Sequence, residues 1–239
     1  FDPNKHFDLK QVGRTDRFSQ FALLAAKEAI TNSGLENYDE EWPENAGVIL
    51  GSSIGGIETI NYSYKQVFEN GHNRLHPLTI PKIMNNSATS LISIEYHIQG
   101  PSFTVSSACS SANHAMGIAY ETIKSGKSKI LITGGSESFL SFGGIKPWES
   151  LRVLSQSKCR PFSRGRDGLV HGEGAGIFVF ESLASAKKRK ADIIAEVVGF
   201  AMSSDASDLI KPNNIGPQKA LEGVLKDAMI NTTDVTYIN

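Results

Sequence analysis

The stretch that decides the fold is Thr104-Val-Ser-Ser-Ala-Cys109-Ser-Ser-Ala-Asn-His114, where a predicted strand runs directly into a predicted helix. The strand covers residues 102–106, and the helix covers 110–125 and ends at Gly126. The side chains around Cys109 are small, so the chain can turn sharply and leave the sulfur accessible. A helix N-terminus offers free N–H groups and a positive dipole end, which favour a thiolate. The spacing is compatible with a nucleophilic cysteine or with an inert buried one.

Strands and helices alternate along the rest of the chain. Further predicted strands cover residues 46–50, 129–133, 173–181, 193–200 and 235–238, and further predicted helices cover 18–33, 57–69, 81–98, 183–189 and 217–229. This alternation indicates an α/β domain with a covered, largely parallel sheet. The basic run at 187–190 is interpreted as the solvated end of a helix.

Composition narrows the class of protein. The chain has 239 residues, of which 40% are hydrophobic and 21% charged, as in ordinary soluble domains. A net charge of −1 gives no support for nucleic-acid or membrane binding, and no apolar run approaches the length of a membrane span. The six histidines show no ligand spacing, so we expect no metal. Cys109 and Cys159 form no CxxC pair or disulfide framework, which favours a reducing cytoplasm.

Motifs in a fixed order extend this interpretation over nearly the whole chain. They are Gly100-Pro-Ser102, the stretch around Cys109, Gly134-Gly-Ser-Glu137, Cys159-Arg-Pro-Phe162, Arg166-Asp-Gly168, Gly172-Glu-Gly-Ala-Gly176 and Met202-Ser-Ser-Asp-Ala206. Together they resemble the thiolase-fold condensing enzymes, and in particular the β-ketoacyl-acyl carrier protein synthases of the KAS II type. The stretch 154–162 resembles the nodulation and polyketide-like branch more than the housekeeping elongation enzymes.

The resemblance implies an α/β thiolase-like fold with layers α-β-α-β-α, of which this chain covers mainly the amino-terminal half. It implies that Cys109 accepts an acyl chain from the phosphopantetheine of acyl carrier protein, with no other cofactor. Malonyl-carrier protein then loses carbon dioxide and attacks the acyl-cysteine. Two histidines in HGT-type and NSFGFGG-type segments, supported by a lysine, assist this step in the family. Neither segment occurs here.

We therefore expect residues 1–239 to be one amino-terminal synthase domain that is cut at both ends. The opening sequence lacks a first buried strand, and the chain closes at Tyr237-Ile-Asn239, inside a predicted strand. Without the histidine segments, the 239 residues alone are not expected to condense acyl and malonyl groups.

Five further site residues follow from the resemblance. Ser87 matches a position lining the acyl pocket near the dimer contact, and Trp148 matches an aromatic near the acyl channel. Helix packing for Ser87 and a core or interface role for Trp148 are the alternatives. Lys10, Arg14 and Arg152 match basic positions that face the acidic carrier protein, although scattered basic residues are usually solvated surface.

Other polar residues receive structural interpretations. His114 lies five residues after Cys109 on a helix and is predicted to point away from it. His171 occupies a position that is usually apolar in the family, so it receives no catalytic role. Cys159 is predicted to pack or support its loop. The glycines of 172–176 precede a strand and lack G-x-G-x-x-G spacing, which favours structural glycines over a dinucleotide loop.

The resemblance also implies a homodimer that pairs through strand 102–106, with helix 81–98 at the same junction. Two other functions stay open. One is a non-catalytic partner subunit that sets chain length in a heterodimer, although such partners typically lack the cysteine. The other is a thiolase acting on coenzyme A esters, against which the Cys-Arg-Pro-Phe and Arg-Asp-Gly segments argue.

Overall fold

The computed structural model describes residues 1–38 and 42–239. Within these ranges β1 (Ala46–Gly51), β2 (Ser102–Val105), β3 (Ile130–Glu137) and β4 (Gly174–Glu181) form a sheet in the order β2-β1-β3-β4. β1 is parallel to β2 and to β3, whereas β4 is antiparallel to β3. The carboxyl ends of the three parallel strands therefore meet at one edge of the sheet, which we call the carboxyl edge.

Helices connect and cover these strands. They are α1 (Leu9–Arg14), α2 (Arg17–Ser33), α3 (Ile57–Phe68), α4 (Thr79–Ile83), α5 (Ser87–Glu95), α6 (Ser111–Lys124), α7 (Phe142–Ser150), α8 (Leu183–Lys188) and α9 (Ile215–Ala228). In the part of the chain that the structure describes, no helix combines the length and apolar character needed to cross a membrane.

Alternate residues of β1 face two different helical layers. Val48 and Leu50 belong to a core with α2 and α5, whereas Ile49 packs with Ala115 of α6 on the opposite face. All six residues of β1 are buried, as expected for a strand covered on both sides. The described residues thus form a helix–sheet–helix arrangement, which is three of the five layers that the resemblance implies.

A buried carboxylate fixes the start of α2. Asp16 is 2% exposed, and its Oδ1 accepts a hydrogen bond from the N–H of Phe18 at 3.3 Å. Its Oδ2 accepts two more from Thr59, at 2.8 Å from the N–H and 2.6 Å from the hydroxyl. The same side chain therefore caps α2 and joins it to α3.

The predicted helix over 81–98 is wrong in one respect, because the chain breaks it into α4 and α5. Met84 takes an extended conformation with ψ 138°. Asn85 turns its amide to the carbonyls of Ser52 and Ser53, at 3.2 and 3.3 Å. These tertiary hydrogen bonds outweigh the helical propensity of the flanking residues.

Two predicted strands, 193–200 and 235–238, do not form a ladder with any strand among the described residues. A strand needs a neighbour to satisfy its backbone groups, and an apolar pattern alone cannot supply one. Residues 198–200 instead rest on α6, where the Tyr120 hydroxyl donates to the carbonyl of Val198 at 3.1 Å. The helix α7, which contains Pro147, lies in a stretch without a predicted element.

The basic run at 187–190 is only partly solvated. The side chain of Arg189 is 7% exposed and pairs with that of Glu181, which is 6% exposed, at 2.7 Å between Nη2 and Oε2. Its Nη1 also donates to the carbonyl of Ser33 at 2.6 Å, at the end of α2. The prediction of a solvated helix end is therefore wrong for Arg189, which ties β4 to α2.

Replacing Arg189 with Ala should lower the free energy of unfolding by about 3–5 kcal/mol, because it leaves the buried Glu181 carboxylate without its partner. Lys188→Ala, an exposed change at the preceding position, the last residue of α8, should stay within about 0.5 kcal/mol of the wild type. Urea unfolding followed by circular dichroism measures both. Equal losses in the two variants would contradict a stabilising role for the buried pair.

Candidate active site

Cys109 lies in a tight turn between β2 and α6. Ala108, the residue before it, has a left-handed backbone with φ 52°, a conformation that is uncommon outside glycine. The Ser111 hydroxyl accepts from the N–H of Ser107 at 2.9 Å and donates to the carbonyl of Ala108 at 2.6 Å. Ser110 closes the turn from the other side by donating to the carbonyl of Ser107 at 2.8 Å. Short hydroxyl side chains thus hold the backbone in this shape.

The thiol of Cys109 is free and solvent-exposed. It immediately precedes Ser110, the N-cap residue of α6, so it lies at the positive end of that helix dipole. An exposed sulfur in this position can attack an electrophilic carbonyl carbon. The geometry favours the nucleophilic interpretation over an inert buried cysteine.

Two paired glycines bring α6 close to the sheet. Gly51 and Gly135 are register partners at the ends of β1 and β3. A Cβ on Gly51 would lie 2.2 Å from the carbonyl carbon of Ser111, and one on Gly135 would lie 2.6 Å from the Cβ of Ala112. The first turn of α6 therefore rests directly on the backbone of the carboxyl edge. We call this pair the glycine seat.

Glu137 fixes the loop that follows β1. Its Oε2 accepts from the N–H of Ser53 at 2.7 Å and also from the Ser53 hydroxyl. The carbonyl of Ser53 in turn accepts from the Ser106 hydroxyl at 3.2 Å, at the end of β2. The loops after β1, β2 and β3 are thereby joined around the turn that carries Cys109.

His114 supports the same turn. Its Nδ1 lies 2.7 Å from the Ser107 hydroxyl, and its ring meets Phe200 edge-on at 6.4 Å between centroids. Phe200 in turn lies against Gly117, where a Cβ would come within 2.2 Å of the phenyl ring. This geometry agrees with a structural role for His114. Sequence spacing did not reveal its bond to Ser107, because the left-handed Ala108 brings the two together.

Trp148 belongs to an aromatic cluster at the carboxyl edge. Its ring is 4.7 Å from that of His171 and 6.3 Å from that of Phe139, between centroids. Phe139 follows β3 and His171 precedes β4, so both reach the edge where Cys109 lies. Trp148 is half-buried, and a place beside an acyl channel stays a prediction.

Ser87 is buried at the contact between α2 and α5. Its Oγ accepts a hydrogen bond from the hydroxyl of Ser19 at 3.2 Å, and Ser19 is fully buried. This contact supports the alternative interpretation of Ser87, in which its side chain packs α5 against α2. A role in lining an acyl pocket is not tested by it and stays a prediction.

The three predicted carrier-protein residues are all exposed. Lys10 and Arg14 lie four residues apart on α1 and so share one face. Arg152 is on a different element, in the turn after α7, with φ 57°. Sequence reasoning did not include Lys82, whose Nζ donates to the carbonyl of Gly13 beside Arg14 at 3.3 Å. Burial lowers the pKa of Lys82.

Asp167 organises the loop that contains Cys159. Hydrogen bonds, first from the Ser155 hydroxyl and then from Arg160 and Ser157, hold the pKa of Asp167 down at about 2. The Ser155 hydroxyl lies 2.6 Å from its carboxylate. Cys159 itself is free and exposed, so packing within the loop, one of the two roles predicted for it, is wrong. Among residues 1–38 and 42–239, no group of three or more His, Cys, Asp or Glu side chains is placed to hold a metal ion.

Gly51→Ala should displace the first turn of α6 and destabilise the protein, because the added Cβ would overlap the Ser111 backbone. Overpacking of this kind costs about 1–3 kcal/mol or more. Gly172→Ala is the matched control, since a Cβ there meets no atom within 4 Å. Thermal unfolding compares the two variants. A Gly51→Ala protein as stable as Gly172→Ala would show that the packing of α6 on the sheet does not require a glycine at position 51.

Comparison with known proteins agrees with this architecture. Residues 2–186 match the family described as "Beta-ketoacyl synthase, N-terminal domain". The chain is 42% identical over 237 residues to nodulation protein E of Rhizobium sp. (strain N33), covering 99% of this chain and 59% of that protein. It is 37% identical over 246 residues to 3-oxoacyl-[acyl-carrier-protein] synthase 2 of Staphylococcus aureus, covering 100% of this chain and 61% of that protein.

Solved structures show the same likeness. A β-ketoacyl synthase from Burkholderia phymatum STM815 superposes with a TM-score of 0.88 at 30% identity, over 99% of this chain and 59% of that one. A type II polyketide ketosynthase in complex with its acyl-carrier protein, AntDE:AntF, superposes with a TM-score of 0.86 at 28% identity, over 95% of this chain and 59% of that one.

The chain spans about 59% of the length of nodulation protein E. The predicted α/β thiolase-like fold is confirmed by these superpositions, with this chain corresponding to the amino-terminal half. The nodulation and KAS II resemblance is likewise confirmed by the relatives. The chain belongs to the β-ketoacyl synthase family, as a match to its amino-terminal domain.

Proposed function

We propose that the protein containing this chain is a β-ketoacyl-acyl carrier protein synthase in which Cys109 is the acyl acceptor. The observation that carries the proposal is the exposed Cys109 thiol at the start of α6, held by the hydroxyl-bonded turn and the glycine seat. Family membership and the 3-oxoacyl synthase relatives support it.

The proposed reaction has two halves. In the first, the Cys109 thiolate attacks the acyl thioester carbonyl, the bond to the pantetheine sulfur breaks, and that sulfur leaves as a thiol after protonation. In the second, malonyl-carrier protein loses carbon dioxide, and its C2 attacks the acyl carbonyl. A carbon–carbon bond forms, the bond to the Cys109 sulfur breaks, and the thiolate is regenerated.

The residues of this chain fit the first half. The developing oxyanion needs positioned donors, and the backbone N–H of Cys109 at the start of α6 is one candidate. The second half needs donors for the malonyl thioester oxygen. The 239 residues contain neither the HGT-type nor the NSFGFGG-type segment, so we assign only acyl acceptance to this part of the protein.

Acyl carrier protein is the proposed carrier of both substrates, and no further cofactor is proposed. The AntDE:AntF structure, an acyl-carrier protein in complex with its ketosynthase, supports this partner. Lys10 and Arg14, exposed on one face of α1, and Arg152 are the proposed contacts with the acidic carrier. The free thiols of Cys109 and Cys159 suit a reducing cytoplasm, which we propose as the location.

A chain-length partner subunit is the second candidate, since one superposed structure is a ketosynthase/chain length factor. The presence of Cys109 in an exposed, structured turn favours the catalytic subunit. A thiolase acting on coenzyme A esters is less well supported, because the relatives include a 3-oxoacyl-[acyl-carrier-protein] synthase.

Incubation with an acyl-carrier protein donor should place one acyl group on Cys109, detected by peptide mass spectrometry. Cys109→Ala should lose the adduct, because no comparable thiolate remains at the helix N-terminus. Cys159→Ala is the matched control, since that cysteine is also free and exposed, and it should acylate normally. An adduct that persists in Cys109→Ala, or that maps to Cys159, would contradict the assignment.

We also propose that the protein is a homodimer that pairs through β2. This strand is at one end of the sheet order, and among the described residues only β1 pairs with it. Its Phe103 is 41% exposed, and Ile94 on the neighbouring α5 is 69% exposed. An unpaired edge strand beside exposed apolar side chains favours association with a second copy.

Sedimentation at micromolar concentration should therefore show a dimer, and Phe103→Lys should convert it to a monomer by placing a charge in the interface. Phe68→Lys is the control, because Phe68 is 80% exposed at the end of α3, a helix that packs on α4 and α7. A wild-type protein that sediments as a stable monomer would refute the proposal.

A further inference from the structure

Four side chains from separate elements meet at the carboxyl edge, beyond the ends of β3 and β4. They are Arg17 at the start of α2, Glu58 in the first turn of α3, Ser138 after β3 and Glu173 before β4. We call this group the Arg17 cluster. Its members join two helices to the sheet, and neither half of the proposed reaction uses any of them.

Arg17 forms a two-pronged ion pair with Glu173. Its Nε donates to Glu173 Oε2 at 2.8 Å, and its Nη2 donates to Oε1. Glu58 is a more distant partner, with 3.8 Å between Arg17 Nε and Glu58 Oε1. Because bidentate pairing with a guanidinium stabilises a carboxylate, Glu173 is the ionised member of the two acids.

Ser138 lies between the two acids. Its hydroxyl oxygen is 3.1 Å from Glu58 Oε1 and also 3.1 Å from Glu173 Oε2, and the residue is fully buried. A serine hydroxyl has one hydrogen to donate, but its oxygen can accept from other donors. If that hydrogen goes to the ionised Glu173, the second contact becomes a full hydrogen bond only when Glu58 carries a proton and donates it to Ser138.

We propose that the pair formed by Glu58 and Glu173 holds one added proton, which Glu58 carries and donates to Ser138, and that this proton makes the packing of α2 and α3 on the sheet sensitive to pH. The proton leaves Glu58 for solvent when pH rises. The serine hydroxyl then faces two carboxylates, which repel each other across it. The proposal goes beyond the condensing reaction and does not depend on it.

The net direction of the two pKa shifts agrees with this assignment. Burial is the main cause that raises the pKa of Glu58, and the Asp16 and Glu173 carboxylates act in the same direction, whereas the Ser138 hydrogen bond and the Arg17 charge oppose it. The hydrogen bond from Arg17 is the main cause that lowers the pKa of Glu173. The pKa values of the two acids are thus shifted in opposite directions, as in other carboxyl pairs that hold one proton.

Further titratable groups of the described residues lie around the cluster. Lys82 of α4 lies near Asp16, the amino terminus of Phe1 acts on Glu173, and His171 is two residues before Glu173. On α7, Lys146 and Glu149 pair with each other at exposed positions.

The two acids should affect stability with opposite dependence on pH. Because the pKa of Glu58 is raised in the folded state, its contribution to the free energy of unfolding is fully present below its unfolded pKa of about 4.3. That contribution is lost as pH rises through the folded-state pKa. A lowered pKa of Glu173 means that its contribution is present above its unfolded pKa and is lost as pH falls through the folded value.

Glu58→Gln is the decisive variant, because its amide can still donate to Ser138 but does not titrate. The melting temperature of Glu58→Gln minus that of the wild type should increase from pH 4 to pH 8. The expected increase is on the order of 2–4 °C for a chain of this size. Glu173→Gln should show the reverse, with its largest deficit at neutral pH. Glu149→Gln, a matched change at an exposed pair, should show no trend with pH.

Carbon-13 titration of the glutamate carboxyls in the wild type gives a second readout that does not depend on a variant folding. The Glu58 signal, assigned with the Glu58→Asp protein, should titrate above the ordinary range for glutamate, and Glu173 below it. A Glu58 carboxyl that titrates at or below the ordinary value would overturn the proposal. So would a constant difference in melting temperature between Glu58→Gln and the wild type from pH 4 to pH 8.

Discussion

The close contact between α6 and the backbone of Gly51 and Gly135 is the constraint on which the site depends. The two glycines are paired across β1 and β3, and a side chain on either would overlap the first turn of α6. With that contact in place, Cys109 lies at the carboxyl edge with its thiol exposed and the helix dipole behind it. The left-handed Ala108 and the serine hydroxyls around it then fix the turn.

Buried polar groups hold the other helices in position around this centre. Asp16 caps α2 and binds Thr59 at the start of α3, while Arg189 ties the end of α2 to β4. Glu137 joins the loops that surround the turn. Each of these groups makes at least two hydrogen bonds, and hydrogen bonding is the condition for a buried polar group to stabilise a fold. These bonds fix the positions of the elements around the nucleophile.

The elements nearest the site were predictable because their signals are local. The apolar run of β1 and the small residues around Cys109 each indicate their structure without reference to distant residues. The break between α4 and α5 has no local signal, since Asn85 makes it by binding carbonyls more than thirty residues away in sequence. The apolar pattern of the segment 193–200 predicts a strand, but strand pairing depends on a neighbouring strand and not on the pattern. The sequence does not reveal the glycine seat, because residue spacing cannot show which residues of two strands are paired in register.

The central claim is that the glycine seat presents Cys109 as the acyl acceptor. A crystal structure of the protein trapped after reaction with an acyl-carrier protein donor tests it most directly. The account predicts continuous density from the Cys109 sulfur into the acyl chain. It also predicts the acyl carbonyl oxygen about 2.7–3.1 Å from the Cys109 backbone nitrogen, with α6 still in contact with Gly51 and Gly135. Acyl density attached to any other residue, or a first turn of α6 lifted away from the two glycines, would contradict the account.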